Sequence, residues 1–136
     1  MNLNAKTIDI IRQHLIKEIN AHLIILFGSG AQGVFRADSD IDLAFLSDIK
    51  ATEYQVFATA QALAALCGRE IDLVDLKQAS TVLKAQILGK GEVVYSDSTE
   101  LLQNFRVRAF KEYALLNEER AEIMRLIAAR GSVYGR

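Results

Sequence analysis

The sequence predicts an α/β domain: a small mixed sheet, helices packed on it, and a long C-terminal helix. Three observations carry that expectation. Apolar runs of strand length lie at residues 23–27, 40–46, 70–76 and 92–96, bounded by Gly, Ser and Asp. The segments between them repeat apolar residues at helical spacing. From about residue 97 a single apolar stripe persists for roughly 30 residues, or about 45 Å at ~1.5 Å per residue, longer than a small core is wide.

Residues 4–20 read as an amphipathic helix with Ile8, Ile11, Leu15 and Ile19 on one face and Arg12, Lys17 and Glu18 elsewhere. Its role is to cover one face of the sheet. His14 and His22 have no metal-ligand spacing with each other or with a cysteine, and are expected at the surface. Thr52 and Gln55 have the spacing of a capping box. The helix they start carries Phe57, Ala60, Leu63, Ala64 and Cys67 as its apolar stripe and stops at Gly68. Cys67 is expected as a small core residue. Ser80 caps a short helix that ends at Gly89, and Lys90-Gly91 turns the chain into the strand at 92–96. Asp97 or Ser98 caps the last helix, with Glu100 favourable in its first turn. Its stripe is Leu102, Phe105, Ala109, Tyr113, Leu116, Ile123 and Ile127. Its basic residues are Arg106, Arg108, Lys111, Arg120, Arg125 and Arg130. The expected division is a core at 1–96 and a helical extension at 97–136 that overhangs the core and contacts a partner.

Composition bounds the function. The chain has 136 residues, 51% of them apolar, enough for one domain with a real core. Its 16 basic and 17 acidic residues give a net charge of −1, which argues against broad nucleic-acid binding. One cysteine excludes an internal disulfide and fits a reducing compartment. No apolar run has the length of a membrane span and the N-terminus has no signal-peptide pattern, so a cytoplasmic location without membrane contact is expected.

The chemistry concentrates in two adjacent runs, Leu23-Ile24-Ile25-Leu26-Phe27-Gly28-Ser29 and Asp40-Ile41-Asp42-Leu43-Ala44-Phe45-Leu46. In a strand, Asp40 and Asp42 point the same way, with Cα atoms roughly 6.5–7 Å apart at ~3.3 Å rise per residue. Two carboxylates side by side repel unless a cation lies between them, and hard oxygen ligands at this spacing suit Mg²⁺. Gly28 at a strand end lets backbone N–H groups approach an anion closely, and the Ser29 hydroxyl is a donor to a phosphate oxygen. Phosphate-gripping donors beside metal-gripping acids are the minimum for handling a nucleoside triphosphate with Mg²⁺. Asp72 sits in the third apolar strand on a face that carries Val74 next, whereas Asp75 faces the other way. Burying an unpaired carboxylate is costly, and a metal site on the neighbouring strand gives Asp72 a reason to be there.

An apolar strand ending in Gly-Ser, a gap of ten residues from Gly30 to Ser39, and Asp-x-Asp opening a second strand resemble the signature of the polymerase-β-like nucleotidyltransferases. The short chain, the Ile71-Asp72-Leu73-Val74-Asp75-Leu76 strand and the C-terminal helix are similar, over nearly the whole length, to the minimal nucleotidyltransferase (MNT) antitoxins of bacterial HEPN–MNT toxin–antitoxin pairs. The resemblance implies that Asp40 and Asp42 bind two Mg²⁺ ions and that Asp72 completes the catalytic carboxylates, with Asp75 as second choice. It implies that ATP is the donor, held by Gly28 and Ser29. The implied acceptor is a tyrosine hydroxyl of a HEPN RNase toxin, in a hetero-oligomer with the toxin dimer and with no direct nucleic-acid substrate. Many such relatives carry an arginine in the loop where this chain has Gln32, and Arg36 is the nearby substitute for the triphosphate's charge. The toxin's own Arg-x4–6-His motif is absent here. Three readings stay open: a protein adenylyltransferase antitoxin, a small-molecule nucleotidyltransferase of aminoglycoside-modifying type, and a non-catalytic antitoxin that blocks its partner by binding. The intact carboxylate set disfavours the last, and the lack of a substrate domain disfavours the second.

Overall fold

The structure is a computed structural model and describes residues 3–28 and 40–133. The chain runs α1 (Ala5–Ile19), β1 (Ala21–Phe27), β2 (Ile41–Ser47), α2 (Glu53–Cys67), β3 (Ile71–Asp75), α3 (Thr81–Lys90), β4 (Glu92–Ser96) and α4 (Thr99–Val133). Among the described residues the four strands form one mixed sheet in the order β3-β2-β1-β4. β1 pairs antiparallel with both β2 and β4, and β2 pairs parallel with β3. The parallel pair requires a crossover, and α2 supplies it.

Strand alternation divides the apolar residues between two faces. Ile24, Leu26, Ile41, Leu43, Phe45, Ile71 and Leu73 point to one face, against Ile11, Leu15 and Ile19 of α1 and Ala60 and Leu63 of α2. Leu23, Ile25, Ala44 and Leu46 point to the other, against Ile87 and Leu88 of α3 and Ala109 of α4. β1 and β2 are therefore covered on both sides and read as nearly continuous apolar runs.

Helix ends follow local chemistry. The Asn4 side chain accepts from Thr7 N–H at 2.8 Å, and Asn20 closes α1 in the left-handed conformation at φ 51°. Both hydrogen bonds of the Thr52–Gln55 capping box form, and Gly68 ends α2 at φ 69°. Ser80 caps α3 and the Ser98 hydroxyl accepts from Leu101 N–H, so Ser98 rather than Asp97 starts α4.

Three expectations change. Phe57 is 61% exposed, and α2 instead buries Thr59, Ala60 and Leu63. Apolar residues surround this helix, so spacing alone allowed more than one stripe. The third helix does not stop at Gly89 but runs to Lys90, and Gly91 follows in an extended conformation. The chain passes straight into β4, so no left-handed stop is needed. A Cβ at Gly91 would collide with the Ile25 side chain and the Ile87 carbonyl, which explains glycine there. The histidines are not plain surface residues. His14 is half-buried and donates Nε2–H to the Thr59 carbonyl at 3.3 Å, tying α1 to α2.

His22 is also half-buried, between Asp97 at 2.6 Å from Nδ1 and Asp48 at 3.2 Å from Nε2. Cys67 is half-buried against the first core, and burial pushes its thiol up, away from the thiolate a nucleophile needs.

α4 begins on the core and leaves it. Ala109 is buried, Leu102, Phe105, Tyr113 and Leu116 are half-buried, and every side chain from 117 to 130 is exposed. The helix has 35 residues, about 52 Å at ~1.5 Å per residue, so its distal part overhangs as expected from the stripe. Among the described residues no helix is long and apolar enough to cross a membrane.

His22 ties the start of β1 to the ends of β2 and β4. Hydrogen bonds from Asp97 and then Asp48 raise its pKa above 6.5. A raised folded pKa adds stability that is fully present below 6.5 and is lost as pH rises through the folded value. Urea unfolding across pH 5.5–8.5 should show that decline in the wild type and a flatter profile in His22→Gln. Equal slopes would remove the histidine from the stability account.

Candidate active site

Asp42 and Asp72 stand on one face of the sheet at one height, whereas Asp40 precedes β2 and lines a pocket with Gln61, Ala64 and Gly68 at the end of α2. Asp42 lies two residues before Ala44, and Asp72 two before Val74, so both project toward the α3–α4 side. The parallel register sets Asp42 directly beside Asp72, and the antiparallel register sets Asp42 opposite Phe27, the residue before Gly28. Asp42 is half-buried, whereas Asp40 and Asp72 are exposed. The expectation of a buried Asp72 is therefore corrected. β3 is the sheet's terminal strand, and its carboxylate is reached from solvent. Asp75 is in register with Phe45 on the opposite face, where its carboxylate accepts from Lys77 N–H at 3.0 Å. Its carbonyl accepts from Gln78 and Ala79, which makes it a turn residue.

Like charges meet here. Burial first, then the charges of Asp72 and Asp40, push the Asp42 carboxyl above the usual carboxylate range. Gly28 permits the closeness. It takes φ 69°, and a Cβ there would collide with the Asp42 carboxylate. Ser29, Gln32 and Arg36, the other residues expected to hold the triphosphate, lie outside the described residues.

The donor set suits a hard cation. Among the described residues no three His, Cys, Asp or Glu side chains converge on one point. An ion here would take carboxylates singly or in pairs and complete its shell with phosphate oxygens and water, which is how Mg²⁺ is commonly held.

Two clefts adjoin the sheet. One of about 270 Å³ lies on the carboxylate face, where Phe27 and Gly28 meet Leu83, Gln86, Ile87 and Lys90 of α3. The sequence carried no motif for this wall, because Lys90-Gly91 read only as a turn. The other, about 410 Å³, runs between α2 and β3 and is lined by Val56, Phe57, Ala60 and Leu73, with Asp72 also reaching it. Its apolar lining belongs to the opposite side of the sheet from the acids.

An acid with a raised folded pKa destabilises the fold above that value. The cost is relieved as pH falls toward 3.8. Without divalent cations, Asp42→Asn should therefore melt higher than the wild type at pH 7, and the difference should shrink as pH falls toward about 4. A lower melting temperature for Asp42→Asn would contradict this. Gly28→Ala should lose about 1–2 kcal/mol from the left-handed backbone alone, read by chemical denaturation.

Comparison with known proteins gives this geometry a context. Residues 7–100 match the family described as Polymerase beta, Nucleotidyltransferase. Over 119 residues the chain is 34% identical to the protein adenylyltransferase MntA of Shewanella oneidensis, spanning 88% of this chain and 83% of the relative. A crystal structure of a toxin–antitoxin with AMP-PNP contains a chain that superposes with a TM-score of 0.80 at 33% identity. That match covers 88% of this chain and 97% of the other. A second structure, of tri-AMPylated Shewanella oneidensis HEPN toxin in complex with MNT antitoxin, gives 0.76 at 30% identity over 90% and 96%. The family match runs from α1 into α4 and so takes in the whole sheet with its carboxylates: this chain is a member of the polymerase β nucleotidyltransferase family.

Proposed function

We propose that this chain is a protein adenylyltransferase that transfers AMP from ATP to a tyrosine hydroxyl of a cognate HEPN RNase toxin and so neutralises it. The observation that carries the reading is the set of acids around Asp42, in register with Asp72 and against Gly28, in a chain 34% identical to a protein adenylyltransferase. The relatives seen with AMP-PNP and with AMPylated HEPN toxin support the donor and the acceptor. ATP as donor and the free Cys67 support a cytoplasmic location.

In this mechanism Gly28 and Ser29 hold the β- and γ-phosphates through backbone and hydroxyl donors. Asp40 and Asp42 would hold two Mg²⁺ ions, and Asp72 would ligate the one nearer the acceptor. Bound Mg²⁺ would neutralise the triphosphate and polarise the α-phosphate. Asp72 is exposed on the edge strand, which supports the role of taking the proton of an incoming hydroxyl. The tyrosine oxygen attacks the α-phosphorus in line, a new P–O bond forms, and the bond to pyrophosphate breaks.

The overhanging part of α4 is the proposed toxin contact. Ile123, Met124, Leu126 and Ile127 are each more than half exposed there. Solvating so much apolar surface is unfavourable unless a partner covers it. The toxin-complex relatives cover enough of this chain to extend into α4.

The test is intact-mass spectrometry of the cognate toxin after incubation with the chain, ATP and Mg²⁺. The wild type should add whole AMP units. Asp42→Asn should lower transfer by roughly 10²-fold or more while still binding the toxin. Ile123→Asp with Ile127→Asp should lose toxin binding and transfer yet keep AMP-PNP binding and the wild-type melt. An unmodified toxin with the wild-type chain would overturn the adenylyltransferase reading. Normal toxin capture by the folded helix variant would overturn the docking surface.

A further inference from the structure

We infer that Lys90, at the end of α3, is a nucleotide-binding residue whose ammonium group meets the terminal phosphates of the bound triphosphate. The inference rests on the nucleotidyltransferase reading above and adds a cation to that same site.

Leu26 pairs with Glu92 across the antiparallel β1–β4 ladder. Gly28 and Lys90 each lie two residues beyond that last pair, Gly28 just past β1 and Lys90 as the final residue of α3. The cleft on this face is lined by both of them, with Gln86 one helical turn earlier on the same wall. Gly91 fixes the distance of approach. Its N–H donates to the Ile87 carbonyl at 2.7 Å, and its Cα side leaves no room for a Cβ against Ile25. The end of α3 is thus pinned against the end of β1 at Gly28. α3 and the carboxylates of Asp42 and Asp72 share the same face of the sheet.

Charge gives Lys90 a task. A triphosphate brings several negative charges to a site already holding Asp40, Asp42 and Asp72. Lysine is a common phosphate ligand as a point charge, and Lys90 is exposed, so its head is free to reach into the cleft. A lysine in the last turn also favours the helix dipole, but that role is indifferent to which nucleotide is bound.

The experiment compares AMP-PNP and AMP binding by calorimetry, with Mg²⁺ present, for the full-length wild type, Lys90→Gln, Lys90→Arg and Lys17→Gln. Lys17 is exposed on α1, on the far side of the sheet, and controls for net charge. Lys90→Gln should weaken AMP-PNP about tenfold or more and leave AMP within about twofold, as expected for losing a charged contact to the terminal phosphates. Lys90→Arg should restore most of the AMP-PNP affinity, and Lys17→Gln should match the wild type. Unchanged AMP-PNP affinity in Lys90→Gln, or an equal loss of AMP and AMP-PNP, would overturn the assignment. Wild-type protein that binds neither nucleotide would overturn the nucleotidyltransferase reading itself, a result distinct from either.

Discussion

The structure depends on holding like charges together. Asp42 is half-buried beside Asp72, with Asp40 near in chain, and its carboxyl is pushed above the ordinary range as a result. Nothing in packing requires acids there, and a polar or apolar residue at position 42 would relieve the repulsion. The surrounding fold imposes the arrangement. β2 is central and covered on both faces, β3 is locked to it in parallel register, and Gly28 gives up its side chain so that Asp42 has space. Under the proposed function a bound cation would relieve this repulsion, and the arrangement that lowers stability would raise affinity for a metal-bound triphosphate.

The two faces of the sheet then divide the work. α1 and α2 close the first face with a conventional apolar core. α3 and the first turns of α4 close the second, and the carboxylates emerge at its edge. The tight passage at Gly91 sets α3 against the Gly28 end of β1, while α4 runs past the core and leaves an apolar surface uncovered. Under the proposed function, nucleotide and partner would be met by different parts of one small chain.

Much of this was legible in the sequence because the signals were local. Caps at Thr52, Ser80 and Ser98 mark helix starts through one side-chain oxygen each, and apolar runs mark strands. Asp40 and Asp42 stood out by alternation within one strand. What was illegible depended on partners distant in sequence. Phe57 belongs to a helix apolar on most sides, and only packing against β3 chooses the buried stripe. His22 reads as an ordinary polar residue until Asp48 and Asp97 are brought to it from two other strand ends. Asp72 looked buried because its neighbours are apolar, but β3 is an edge strand, and strand order is not written in any single run. Lys90 reads as half of a turn until the fold brings it to the wall of one cleft with Gly28.

The central claim is that Asp42 is held in a like-charge cluster relieved by a bound cation. Carbon-13 NMR titration of the Asp42 carboxyl, without divalent ions and then with Mg²⁺ and AMP-PNP, addresses it directly. The account predicts titration above the ordinary aspartate value without the ion and a clear downward shift once Mg²⁺ and nucleotide are added. An Asp42 that titrates at the ordinary value and does not respond to Mg²⁺ would contradict it.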